Sequence, residues 1–258
     1  MLPEFAQKYW QYEYDVAARH MIPLLERWGI TLQGSRVLDV GCGEAGGLAA
    51  MADRGAHCSG FDIEAPRIEW ARDLVAPRGI RLAVGNLFNA PPFTGETFDL
   101  LVLHDVFEHL DEKEEALGLL LGFLTPTGRI LITFPPYYSA YGAHQQFLTA
   151  WYARIPYFHL LPFSLSRIVP RLRKENAVFR EEVEKLGRLK MGMVAFERIA
   201  ARTGMTIEHK RAYLLSPNYL RFGIPALPAG VLGDVPVLGE LLCTGVVYLL
   251  SRQSALPA

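Results

Sequence analysis

Three groups of residues in this chain have the types and spacing that chemistry requires. The first is VLDVGCGEAGG, Val37 to Gly47, where Gly41, Gly43 and Gly46 form a G-x-G-x-x-G and Asp39 stands two residues before the first glycine. A glycine-rich turn lets backbone approach a ligand, and the helix N-terminus beyond it favours negative charge. The second is HDVFEH, which brings His104, Asp105, Glu108 and His109 to the end of the apolar run FDLLVL. Such side chains can move protons or ligate cations. The third is YYSAYGAHQQ, where Tyr137, Tyr138, Tyr141, His144 and Gln145 make a polar and aromatic lining suited to a small-molecule pocket.

The glycines alone do not identify their ligand. Asp62, at the end of the next apolar run, suits a ribose diol on any nucleotide-like molecule. Asp39 discriminates further. A dinucleotide would set two phosphates against this turn, and like charges ~4 Å apart oppose each other by about 4 kcal/mol at an effective dielectric near 20. A cationic ligand would be attracted instead. A strand-end aspartate that merely caps the turn is compatible with both.

These residues must be positioned by alternating strands and helices. Val37 to Val40, His57 to Asp62, Arg81 to Val84, Phe98 to Leu103 and Arg129 to Phe134 read as five strands. Helical segments separate them at Ala45 to Arg54, at Ala65 to Val75 and from about Glu112. FDLLVL is continuously apolar, as in a strand buried on both faces of a parallel sheet. Periodicity resumes with a helix at Met193 to Thr203 and strands at Thr206 to Leu215 and Thr244 to Leu250, with a Pro/Gly-rich loop over 216–242 between the strands. The expected fold is α/β: a Rossmann-like, doubly wound, seven-stranded, mostly parallel sheet with a lid insertion after strand five. One domain is expected over 1–258. It divides into an N-terminal helical cover (1–34), a ligand-binding core (35–135), the lid (136–190) and the C-terminal part of the core (191–258).

Composition narrows the function. Half of the 258 residues are apolar and 21% are charged, which allows a large core and argues against disorder. The net charge of −1 disfavours nucleic-acid binding by bulk electrostatics. Three scattered cysteines fit a reducing cytosol, and neither a secretory leader nor a transmembrane run is expected. The segment Arg167 to Lys190 carries eight Lys/Arg against four acids. It reads as a solvated helix face, or as a patch recruiting an anionic acceptor or a membrane surface.

VLDVGCGEAGG resembles motif I of the class I SAM-dependent methyltransferases, and GFDIE (Gly60 to Glu64) is similar to their ribose-binding strand end. The resemblance continues through GNLFNAPPFTGETFDLLVLHDVFEHL, Gly85 to Leu110, and through TPTGRILITFP, Thr125 to Pro135. FERIAARTGMTI, Phe196 to Ile207, is similar to the late helix and strand. The resemblance implies S-adenosyl-L-methionine as cofactor, with Asp39 orienting its ammonium through water and Gly41, Cys42 and Gly43 lining it by backbone. It further implies that Asp62 accepts from the ribose, that Ile63 packs on the adenine, that Asn86 and Leu87 meet the adenine edge, and that His104 lies beneath the methyl group. Tyr9 and Tyr14 either close over the methionine end or pack in an N-terminal helix.

The implied activity is methyl transfer to a small-molecule acceptor, most simply at oxygen. His144, ahead of His104, is the expected general base, and Tyr137, Tyr138, Tyr141 and Gln145 are the expected acceptor contacts. A C- or N-methyltransferase and a non-catalytic SAM-binding module remain alternatives, and an NAD oxidoreductase only if Asp39 points away from the turn. Asp105-x-x-Glu108-His109 resembles the E-x-x-E-H cation site of ubiquinone-biosynthesis O-methyltransferases, but with one shorter acid. The reading assigns the chain no metal, and holds Asp105, Glu108 and His109 as the set a cation would use. Otherwise Glu108 and His109 stabilise the start of the next helix.

Overall fold

The computed structural model describes residues 2–144, 151–161 and 177–253. Eight strands form one sheet: β1 (Arg36–Val40), β2 (His57–Asp62), β3 (Arg81–Val84), β4 (Phe98–His104), β5 (Leu124–Phe134), β6 (Met205–Leu215), β7 (Leu227–Pro228) and β8 (Gly245–Arg252). Their order is β3-β2-β1-β4-β5-β8-β6-β7. Strands β1 to β5 pair in parallel, whereas β8 runs antiparallel to both β5 and β6. All seven expected strands are present. The eighth, β7, is a two-residue edge pairing on β6, too short to leave a periodic signal.

Side chains alternate across the sheet, as the two-residue strand period demands. Leu38, Leu101, Leu103, Ile130, Ile132, Tyr248 and Leu250 face one core. Val37, Leu100, Val102, Leu131, Val247 and Leu249 face the other. The helices α1 (Glu4–Val16), α2 (Ile22–Arg27), α3 (Gly46–Ala52), α4 (Ala65–Val75), α5 (Lys113–Gly122), α6 (Ala177–Leu189), α7 (Met193–Arg202) and α8 (Pro236–Leu242) surround it. Helices α2, α3 and α4 give their apolar faces to the second core, while α5 and α7 give theirs to the first. Between α1 and α2 the helix widens into a π turn, Ala17–Met21. Pro23, lacking an N–H and crowding the preceding turn, explains the departure from regular α geometry there.

The order reverses at β1, which has β2 on one side and β4 on the other. Chain connections leave in opposite directions from this point, so a crevice opens beyond the carboxyl ends of β1 and β4. Helix α1 covers that crevice by packing on α3. The contact is close because Gly46 has no side chain: a Cβ there would lie 2.2 Å from the Trp10 carbonyl oxygen and 2.9 Å from the Tyr14 nitrogen. Both are backbone atoms that cannot step aside. Gly46→Ala should therefore destabilise the protein by about 1–3 kcal/mol, although alanine is the better helix former. A denaturation midpoint no lower than that of the unaltered chain would refute this close packing.

Candidate functional site

A cavity of about 800 Å³ occupies the crevice. The turn after β1 forms one wall. Gly41 and Gly43 take φ values of +81° and +53°, a region that suits glycine, and a Cβ on Gly41 would meet Val106 Cγ2 at 2.5 Å. Asp62, at the end of β2, binds this turn: its Oδ2 accepts from the Gly43 N–H at 2.9 Å and its Oδ1 from the Glu64 N–H at 2.9 Å. Gly41, Asp62, Ile63, Asn86, Leu87 and His104 all line the cavity. Ile63 is 64% exposed, an apolar platform open to a flat ring. The Asn86 Oδ1 accepts from the Phe88 N–H at 2.9 Å, which fixes the turn after β3.

Asp39 sits behind this wall. It is buried, and among the described residues its Oδ1 has no hydrogen-bond partner. Burial, reinforced by the Asp62 charge and opposed by Arg67, raises its carboxyl from the ordinary 3.8 to about 7. Cys42 is buried beside it, and burial and the Asp39 charge push its thiol well up. It therefore serves as packing and backbone, not as a nucleophile.

Sequence reasoning missed the neighbours that complete this charge cluster. Glu13 reaches across from α1, and its Oε2 accepts from the Gly46 N–H at 3.2 Å. Burial drives its carboxyl well above the usual range, with Arg67 opposing. Arg67 from α4 donates from Nε to Glu44 Oε2 at 3.0 Å and lies 3.7 Å from Glu13 and 4.0 Å from Asp62. Its guanidinium also lies 5.2 Å from the centre of the Tyr9 ring. Thus, among the described residues, four carboxylates, Glu13, Asp39, Glu44 and Asp62, surround the turn with a single guanidinium, that of Arg67, among them. That balance suits a ligand bringing positive charge and opposes a pyrophosphate. Tyr9 lines the cavity, whereas Tyr14 turns away and donates to Asp53 Oδ2 at 2.9 Å.

Tyr12 lines the cavity beside Tyr9, and the remaining wall is polar and aromatic: Tyr141, His144, Asn218, Tyr219 and Arg221. The last three follow β6 in SPNYLR, a segment read from sequence only as a loop. Of the three tyrosines after β5, Tyr141 lines the cavity and donates to the Arg154 carbonyl at 2.9 Å. Tyr137 instead packs with Ala143 and Leu186, with its ring against Tyr138 and His159. Neither Tyr137 nor Tyr138 lines the cavity. Gln145 lies outside the described residues.

His104 ends β4 with Nδ1 2.7 Å from Thr133 Oγ1. The Thr133 hydroxyl donates to Asp105 Oδ1 at 3.2 Å, and Asp105 Oδ2 accepts from the Asn218 amide. Thr133 has one proton to give. With that proton on Asp105, His104 must donate through Nδ1–H, which leaves Nε2 as its lone-pair side. His144 belongs to a different group. Its Nε2 lies 3.7 Å from Glu108 Oε1, and His109 Nε2 lies 3.5 Å from the same oxygen. Glu108 is only 2% exposed, and burial, with Asp105 adding and His109 opposing, pushes its carboxyl up to about 8. Among the described residues neither Glu108 oxygen has a hydrogen-bond partner, so it does not cap α5.

Comparison with known proteins agrees with the fold. Residues 38–132 match the family model described as "Methyltransferase domain". The chain is 30% identical over 139 residues to a ubiquinone biosynthesis O-methyltransferase of Aeromonas salmonicida, covering 50% of this chain and 57% of that protein. It is 25% identical over 140 residues to phosphoethanolamine N-methyltransferase 2 of Caenorhabditis elegans, covering 53% of this chain and 32% of that one. The chain thus spans little more than half the length of the first of these relatives, and a third of the second. In fold it resembles a TehB-like SAM-dependent methyltransferase from Corynebacterium glutamicum, with a TM-score of 0.54 at 18% identity over 97% of this chain and 100% of that one. It also resembles magnesium protoporphyrin IX methyltransferase from Synechocystis PCC 6803 with bound SAH, with a TM-score of 0.54 at 14% identity over 98% and 89% of the two chains.

The raised Asp39 carboxyl gives a pH test. Between its ordinary 3.8 and about 7 the folded chain holds a proton that the unfolded chain has lost. This group therefore favours folding at low pH, and its contribution fades as the pH rises through 7. Asp39→Asn, neutral throughout, should gain stability relative to the unaltered protein between pH 5 and 8, by on the order of 2 kcal/mol. Calorimetric midpoints without ligand check this, and parallel pH profiles would contradict it.

Proposed function

The chain belongs to the class I SAM-dependent methyltransferases, and on that premise we propose that it transfers the methyl group of S-adenosyl-L-methionine to an oxygen of a small-molecule acceptor. The charge balance at the turn after β1 carries this reading. Asp39, with an unpaired buried oxygen, answers the ammonium of the donor, and the surrounding acids suit its sulfonium. Asp62, already held by two backbone N–H groups, has lone pairs left for the ribose hydroxyls. Ile63 takes a face of the adenine, and Asn86 and Leu87 its edge. Tyr9 and Tyr12, on α1, cover the donor from above.

The acceptor fills the opposite half of the cavity, between Tyr141, Asn218, Tyr219 and Arg221. Methyl transfer forms an oxygen–carbon bond as the carbon–sulfur bond breaks, and the sulfonium becomes a neutral thioether. A hydroxyl acceptor must lose its proton, and the lone pair on His104 Nε2 receives it. Thr133 and Asp105 hold the imidazole in the required tautomer. The resemblance to ubiquinone biosynthesis O-methyltransferases supports oxygen as the atom methylated. In this reading residues 1–34 cover the donor, 35–135 bind it, 136–190 are the acceptor-side lid, of which 145–150 and 162–176 lie outside the described residues, and the described part of 191–258 completes the sheet.

Calorimetric titration with SAM, with its demethylated product and with NAD tests the donor; binding of NAD without SAM would reject the reading. Asp62→Ala should weaken SAM binding about a hundredfold, because a charged acceptor of two hydrogen bonds is lost. Unaltered affinity would remove Asp62 from the ribose. His104→Ala should lower turnover about a hundredfold or more while SAM affinity moves little. Equal losses in both would take His104 out of proton transfer, and full turnover would favour an acceptor that needs no base.

A further inference from the structure

We propose that the segment from Phe222 to Leu242 is a self-association surface, through which two copies of this chain pair about a two-fold axis. Ten large apolar side chains of these 21 residues are exposed, more than in all the rest of the described chain. Val231 and Val237 reach 81% and 69%. Scattered exposed apolar residues are ordinary on a protein surface, but a concentrated face of them marks a binding site.

Helix α8 shows how the face is built. Val237, Leu238, Leu241 and Leu242 fall at i, i+1, i+4 and i+5, one stripe of a 3.6-residue helix, and all four are exposed. The residues between them turn inward. Gly239 is buried, and a Cβ there would lie 2.8 Å from the Gly233 carbonyl oxygen. Glu240 Oε1 accepts from the Val194 N–H at 2.8 Å, at the start of α7. The one acid of the helix thus serves the fold while its leucines meet solvent, the reverse of how a helix packs on its own core. The turn Gly230–Asp234, which meets α8 at Gly233, adds Val231 and Leu232. Tyr157 donates to the Leu241 carbonyl at 3.0 Å and ties in the short turn that carries the exposed Leu160 and Leu161.

The chemistry of the face selects its occupant. Segments that lie on membranes combine their apolar stripe with Lys or Arg and with aromatic anchors such as Trp, and residues 222–242 contain no Lys, Arg, Trp or Tyr. Their two charges are the acids Asp234 and Glu240, and Glu240 is engaged with Val194. An anionic lipid surface would be repelled, and this segment offers no cation to its headgroups. A second copy meets no such mismatch. The face is poor in charge, as the interfaces of homodimers are, and a self-complementary patch closes in a two-fold pair with no open end for a third copy. Size agrees. Of the 21 residues 16 are exposed, close to the roughly 20–30 residues a side of a stable interface. The Phe222 ring lies 6.4 Å from that of Tyr219, so the partner abuts the wall of the cavity.

Sedimentation velocity across a range of protein concentrations tests the face. The unaltered chain should sediment as a dimer. Val231→Glu and Val237→Glu, at the two most exposed apolar positions of the face, should each raise the dimer dissociation constant about tenfold or more, and both together should leave a monomer. Circular dichroism checks folding, and Val237→Ser, which adds no charge, keeps the test valid should a glutamate unfold the chain. An unaltered chain that is monomeric at every concentration, or a dimer that these variants leave intact, would overturn the proposal. So would a monomer that co-sediments with vesicles of phosphatidylcholine and phosphatidylglycerol and loses them in Val237→Glu, since the face would then belong to a lipid surface.

Discussion

Around the turn after β1, four carboxylates share one guanidinium among the described residues, and most of the site follows from how that charge is accommodated. Glu13 and Glu44 hold Arg67 over Gly43, and Asp62 ties the turn to β2. Asp39 is supported by Arg67 only at a distance, and among the described residues its Oδ1 has no hydrogen-bond partner. Left in a low-dielectric pocket beside Asp62, it either keeps its proton or waits for a cation. The same residues that shape the turn thus set the sign of the ligand it accepts. They also connect α1 to the core, because Glu13 is at once a member of the charge cluster and the acceptor for the Gly46 N–H.

The sheet was legible in the sequence because its physics is local. Alternating apolar strands, the continuous run of β4 and the glycine turn all leave signals within a few residues. Asp39, Asp62, Ile63 and His104 were legible too, since each ends or follows a strand at the switch point. The contacts of Glu13, Arg67, Asn218 and Arg221 were not, because each depends on helices and loops meeting across the crevice from distant parts of the chain. Tyr137 illustrates the opposite limit. In sequence it is indistinguishable from Tyr141, yet a packed cluster with Ala143 and Leu186 takes one ring while the cavity takes the other.

The histidines divide along the same line. His104 is positioned by the sheet itself, through its ladder neighbour Thr133 on β5. His144 is positioned by a strained loop and a buried acid. Sequence gave both the same character of polar residues near strand ends. Their different partners, the Thr133 hydroxyl for one and the buried Glu108 carboxylate for the other, set them in different environments.

The antiparallel strand β8 has a consequence for how the chain is made. It is inserted between β5 and β6, so β6 and β7 reach the rest of the sheet only through it. During synthesis β1 to β5 can assemble as soon as they emerge, but the edge of β5 then stays bare while more than a hundred further residues are added. Strand β8, the last of the described strands, closes two open edges at once. Until it does, the nascent chain presents the kind of unpaired strand that other chains can capture.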